Sequence, residues 1–86
     1  STAEGISIWP NPTAEGLSIS FATTETEYRT AAVYDMAGKC LMLETLCSGC
    51  NAHYLSLTSL ADGMYVIRIA INGNRFREFK FIKVTP

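Results

Sequence analysis

Four residues in the middle of the chain have the right chemistry for a metal or redox centre: Cys40, Cys47, Cys50 and His53. Three thiolates and an imidazole can complete a tetrahedral zinc site. Cys47-Ser48-Gly49-Cys50 also has the CxxC spacing of redox proteins. The surrounding pattern opposes both. All four residues fall within one hairpin-sized stretch, and no paired CxxC or Cys2His2 spacing accompanies them. A redox CxxC needs a helix N-terminus to stabilise its thiolate, and no helical repeat is present here. The expectation is therefore no bound metal and no cofactor. Two fates remain open for the cysteines: one disulfide with one leftover thiol, or three small, partly buried apolar side chains.

Other catalytic arrangements are poorly supported. His53 is the only histidine, and no serine sits in a Gly-x-Ser-x-Gly elbow. The carboxylates fall at turns or beside basic residues, with no sign of a buried pair. Trp9, Tyr28, Tyr34, Tyr54 and Tyr65 could stack sugar rings only if several shared one exposed face. Tyr65 is expected in the core, and Trp9, beside Pro10, is expected to cover one end of it. A phosphate-binding glycine loop and a basic, aromatic nucleic-acid surface are both missing.

These residues must be positioned by strands. The chain has 86 residues, enough for one domain spanning 1–86, and 48% of them are apolar, enough for one core. A net charge of −1 offers no global field for nucleic acid or membrane. Short runs of β-branched and aromatic residues alternate with polar ones and are punctuated by Gly, Pro, Asn and Asp. They predict strands near 5–9, 16–22, 30–35, 40–46, 53–57, 63–71 and 75–84. Seven short strands with turns at this spacing predict an all-β, antiparallel, immunoglobulin-like sandwich.

The turns are specific. Pro10 and Pro12 each remove an amide donor, so strand pairing stops there, and Gly16 releases the chain into Leu17, Ile19 and Phe21, which should face the core. In Asp35-Met36-Ala37-Gly38, Asp35 can accept a turn amide and Gly38 can take positive φ, giving a type I turn with a glycine bulge. Asn72-Gly73 is a two-residue hairpin signal. Leu60-Ala61-Asp62-Gly63 turns the chain into its longest strand, where Tyr65, Ile67, Ile69 and Ile71 form the inward face. At the end, Arg75, Arg77, Lys80 and Lys83 face only Glu78. Lys80 and Lys83 are expected to form an exposed basic row that either blocks edge-to-edge pairing or docks another chain.

Taken in order, these signatures resemble the C-terminal sorting domain of the Por (type IX) secretion system. The residues carrying the likeness are Pro10, Asn11, Pro12 and Gly16; Tyr34, Asp35, Gly38 and Lys39; Leu60, Gly63 and Tyr65; then Lys80 and Lys83. The resemblance runs from about Ile6 to Val84. Cys40 stands where members of the family usually carry an aliphatic residue, and the Cys47–Cys50 loop is not part of the common pattern.

The resemblance implies a domain without enzymatic activity. It would direct an N-terminal cargo domain across the outer-membrane translocon, where a gingipain-like sortase cuts before the domain and the cargo is attached to the surface or released. The protein would pass through the periplasm to the cell surface or the medium. No charged-then-apolar leader and no apolar stretch long enough for a transmembrane segment occur in the sequence, which suggests a domain excised from a longer exported precursor. The alternative is an immunoglobulin-like adhesion or carbohydrate-binding module on the same scaffold.

Overall fold

The computed structural model describes residues 2–3, 5–22, 28–46, 49–72 and 75–85. The strands are β1 (Thr2–Ala3), β2 (Ile6–Trp9), β3 (Gly16–Phe21), β4 (Arg29–Asp35), β5 (Cys40–Thr45), β6 (Ala52–Ser56), β7 (Gly63–Ile71) and β8 (Arg75–Lys83). Seven of them follow the predicted runs closely. The two-residue β1, which pairs antiparallel with β2, had no signal in the sequence pattern.

Two four-stranded antiparallel sheets result, ordered β1-β2-β3-β6 and β5-β4-β7-β8. The chain moves between sheets after β3, β5 and β6. In immunoglobulin lettering the main strands read A-B-E and C′-C-F-G. The architecture is the expected all-β sandwich.

Period-two alternation builds the core. Leu17 and Ile19 of β3, Val33 of β4, Leu55 of β6, Ile67 and Ile69 of β7 and Phe81 of β8 are all fully buried between the sheets. Tyr65 stacks on Phe81 with ring centroids 5.6 Å apart, joining neighbouring strands on the inner face. Ile71, at the end of that face, is only partly buried. The buried cation Arg29 closes the far end of β4. Its guanidinium lies 4.1 Å from the Phe21 ring centre and donates to the Cys50 carbonyl at 3.0 Å.

Three local expectations need correction. Trp9 is 48% exposed and does not cover the core, because Ile6 and Ile8 take the inward positions of β2 and alternation turns Trp9 outward. The β7–β8 ladder ends at Ile71↔Arg75, so three positions, 72–74, connect the strands rather than two. Asn72 there adopts φ 53° and accepts the Tyr28 amide through its side chain at 3.0 Å; Gly73 lies outside the described residues. Finally, Lys83 is buried, and so cannot form an exposed row with Lys80. The two are three residues apart on a strand, so they point to opposite faces; Lys83 follows Phe79 and Phe81 inward.

Candidate recognition surface

The ladders bring the turn signatures, that at Asn72 excepted, to one end of the sandwich. Asp35 pairs with Tyr65, Tyr65 with Phe81, and Gly63 with Lys83, so the end of β4, the start of β7 and the end of β8 lie side by side. The segment between β2 and β3 crosses this end as a strap.

The strap is built from Pro10-Asn11-Pro12-Thr13, with both X-Pro bonds cis. Because the prolines withhold their amides, residue 11 bonds through its side chain. The Asn11 amide oxygen accepts from the Ile82 amide at 3.0 Å, and its Nδ2 donates to the Lys80 carbonyl at 3.3 Å. Thr13 continues with its backbone, donating to the Ile82 carbonyl at 2.8 Å and accepting from the Val84 amide at 2.9 Å. A side-chain amide followed by one parallel bridge thus replaces a ninth strand along the outer edge of β8. The buried Thr13 hydroxyl then donates to the Gly16 carbonyl at 2.5 Å and accepts its amide at 3.1 Å, setting the start of β3. Gly16 is fixed by space: a Cβ there would collide with the Tyr54 ring and the Leu55 carbonyl.

The β4–β5 turn forms as expected. Asp35 Oδ1 accepts the amides of Ala37 and Lys39, both at 2.9 Å, and the Asp35 carbonyl accepts the Gly38 amide at 3.0 Å. Gly38 has φ 89°. A further register shift, with no signal in the sequence, falls between Val33 and Tyr34, where the pairing skips Leu41 of β5.

The β6–β7 connection is a tyrosine corner. Near the start of β7, the Tyr65 hydroxyl donates back to the Ala61 carbonyl at 2.5 Å. Lys83 reaches the same corner from inside and donates its Nζ to the Leu60 carbonyl at 3.1 Å. Thr85 Oγ1 donates to the Asp62 carboxylate at 2.7 and 2.9 Å. Those hydrogen bonds hold the Asp62 pKa below the ordinary carboxylate value, with a smaller contribution from the nearby Lys83 charge.

Beside the Asp35 turn, the outer face of β4, β7 and β8 carries a groove of about 430 Å³, lined by Tyr34, Asp35, Met36, Gly38, Val66, Arg68 and Glu78. Arg68 organises it. Its guanidinium donates to Glu78 Oε2 through Nε at 2.8 Å and approaches the same oxygen through a second nitrogen at 2.7 Å. It also lies 4.7 Å from the Phe76 ring centre and 5.2 Å from that of Tyr34. The Glu78 hydrogen bond raises the Arg68 pKa further above its already high value. Sequence reading missed this clasp because the 68↔78 pairing depends on the length of the 72–74 connection. Thr13 and Arg29 were missed as well; their polar side chains gave no pattern that foretold burial.

The cysteine set does not assemble among the described residues. Cys40 begins β5 near the Asp35 turn as an exposed free thiol. Cys50 lies beyond the other end of that strand, disulfide-bonded, with its carbonyl on Arg29. Cys47 lies outside the described residues. His53 has a different neighbour, with Nε2 3.7 Å from Glu44 Oε2 between the edge strands β6 and β5. Among the described residues, no three His, Cys, Asp or Glu side chains are placed to hold a metal ion.

This end of the molecule is a set of closures. The signature residues hold turns and a strand edge in place. No curated protein matches the chain. The family described as the secretion system C-terminal sorting domain matches residues 7–83, which takes in the strap, both turns and β8. Members of this family are sorting signals, generally non-catalytic, on proteins exported to the cell surface or secreted. The chain belongs to the type IX secretion C-terminal sorting-domain family.

Proposed function

We propose that this domain is the secretion signal of an N-terminal cargo: the folded sandwich is read at the outer-membrane translocon after transit through the periplasm, and a gingipain-like sortase cuts ahead of it. The cargo is then attached to the surface or released. The observation carrying this reading is the gathering of all four signature groups at one end of the sandwich, within the span of the family match. That end presents exposed Asn11, Gly38, Lys39 and Lys80 around the strapped edge of β8. The receptor would therefore read a folded surface whose shape depends on the signature residues.

The test is a fusion of an unrelated, periplasm-targeted cargo to residues 1–86 in a type IX-competent cell. Surface delivery with cleavage upstream of Ile6 supports the reading. Retention of the wild-type fusion in the periplasm overturns it and favours an adhesion or carbohydrate-binding module, for which the Tyr34–Arg68 groove is the surface to examine. Lys80→Glu alone probes the docking role of the basic end. Lys83 is unsuitable, since its buried amine supports the fold. The exposed charge of Lys80 contributes little to stability, so the variant should remain folded. It should accumulate uncleaved if Lys80 contacts the receptor.

A further inference from the structure

The two sheets present different outer faces. On the β5-β4-β7-β8 sheet that face carries the charges of Arg68, Glu78 and Lys80. Strands β2, β3 and β6 contain no Lys, Arg, Asp or Glu at all. Ile8, Leu17, Ile19 and Leu55 are buried inward, so alternation turns Trp9, Ser18 and Tyr54 outward. The ladders set these three in one cross-strand row, Trp9↔Ser18 and Ser18↔Tyr54, beside a second row of Ser7, Ser20 and Ala52. Trp9 is 48% exposed and Tyr54 57%. A Cβ on Gly16 would meet Oη and Cζ of Tyr54, so the ring lies down across β3 in the space the glycine leaves. The two aromatics stand two strand spacings apart, roughly 10 Å, on a rigid support.

We propose that this face is a glycan-binding platform, and that its ligand is a neutral, unbranched oligosaccharide running across the strands from Trp9 to Tyr54. The chemistry of a pyranose fits both parts of the surface. The C–H bonds of its ring face are weakly positive and stack on the negative face of an aromatic ring, while the hydroxyls at its rim need partners that both donate and accept. Trp9 and Tyr54 supply the first, and the hydroxyl of Ser18 between them supplies the second. Other ligands fit less well. A polyanion such as nucleic acid needs cations, and strands β2, β3 and β6 have no Lys or Arg. A membrane-surface site carries basic residues and a wider apolar face. Protein interfaces are depleted in serine and alanine, which make up most of this face. Both aromatics sit on strands and the Tyr54 ring is already laid down, so little ordering cost opposes binding. This inference does not depend on the sorting role.

Trp9 is the only tryptophan in the chain, so its fluorescence reports on this face. The test is titration of the 86-residue chain with cellohexaose, laminarihexaose, chitohexaose and mannohexaose. At least one of them should shift the Trp9 emission saturably and shield it from acrylamide quenching. Tyr54→Ala should weaken that binding about tenfold or more. Tyr34→Ala, in the groove of the opposite sheet, should leave it unchanged. Far-UV circular dichroism checks that each variant is folded. Amide chemical-shift changes in the wild-type chain, expected at Ser18 and Ser20, test the same face without a substitution. A Trp9 signal indifferent to all four sugars, binding unaffected by a folded Tyr54→Ala, loss of binding in Tyr34→Ala, or a response to phosphatidylcholine vesicles and not to sugars would each overturn the proposal.

Discussion

The side chain of Asn11 pairs with the backbone of Ile82 as a neighbouring strand would. Its amide oxygen takes the Ile82 amide while its nitrogen reaches the Lys80 carbonyl, across 71 positions of sequence in the first case. This explains why asparagine stands between two prolines. The prolines cannot donate, and asparagine carries both a donor and an acceptor at the end of a short arm. Asn11→Ala should lower unfolding free energy by about 1–2 kcal/mol, the cost of losing two partly exposed hydrogen bonds. Hydrogen exchange at the Ile82 amide should accelerate by more than the global stability change accounts for. Equal protection in the variant would show that the strap is held by Thr13 alone.

Ile67 is fully buried at the centre of β7. Ile67→Ala should cost about 2–5 kcal/mol through lost burial and the cavity left behind. Urea denaturation measures this directly. A loss of under about 1 kcal/mol would mean that the inner face repacks freely, unlike close-packed interiors generally.

Gly38 has open space around it, so steric contact does not restrict the position; its φ of 89° does. Gly38→Val should destabilise by about 1–3 kcal/mol, the usual range for a non-glycine residue in a sparsely populated backbone region. Gly16→Ala should fail for a different reason, collision with Tyr54 and Leu55. Tyr54→Ala should partly rescue Gly16→Ala and leave Gly38→Val unimproved. Thermal melts of the single and double variants distinguish the two mechanisms.

Asp62 links pH to the closure of the chain end. Its folded-state pKa is lowered, chiefly by Thr85. The unfolded chain therefore binds more protons at this group near its ordinary pKa of about 3.9. The stabilisation is present above that pH and is lost as pH falls through the lower, folded value. Thr85→Val should raise the Asp62 pKa toward the ordinary range and flatten this part of the stability profile. Carboxyl NMR titration checks the first effect, and denaturation across the acid range checks the second.

Lys83→Met keeps the length of the side chain and removes its amine. It leaves the Leu60 carbonyl without the donor now 3.1 Å away. The change should be small, within about 1 kcal/mol, because a buried charge is removed along with the bond. Lys83→Glu should be far worse, placing a carboxylate against a carbonyl. Comparing the melting temperatures of the two variants separates loss of the hydrogen bond from burial of a wrong charge.

Much of the fold was legible because strand alternation and turn chemistry are local. Leu17, Ile19 and Phe21, like Tyr65, Ile67 and Ile69, lie on the inward faces where period two placed them. Asp35 and Gly38 form the turn their side-chain chemistry dictates. Errors arose where local character was weighed above position. The charge of Lys83 suggested solvent, although residues 79, 81 and 83 share one face. Trp9 was expected to cover one end of the core as an aromatic beside Pro10, although Ile6 and Ile8 had already claimed the inward face of that strand. Asn11 lay beyond local reasoning, since its partners belong to a strand at the other end of the chain. The Arg68–Glu78 clasp needed a register that only the geometry of the 72–74 connection supplies.

The strap also sets an order of events. Its partners are Lys80, Ile82 and Val84, so during synthesis the segment at 11–13 waits for nearly the whole domain to be made. Contacts this distant in sequence close late, after the local hairpins. A chain that stops before β8 can form β4–β5 pairing but has nothing for Asn11 to grip, and it leaves the inner faces of β4 and β7 without Phe79 and Phe81. The strap thus acts as a check on completeness: the end of the sandwich carrying the signature residues takes its final shape only in a molecule translated through β8. Ribosome-arrested chains of increasing length, probed by limited proteolysis, should become resistant only once residue 84 has emerged.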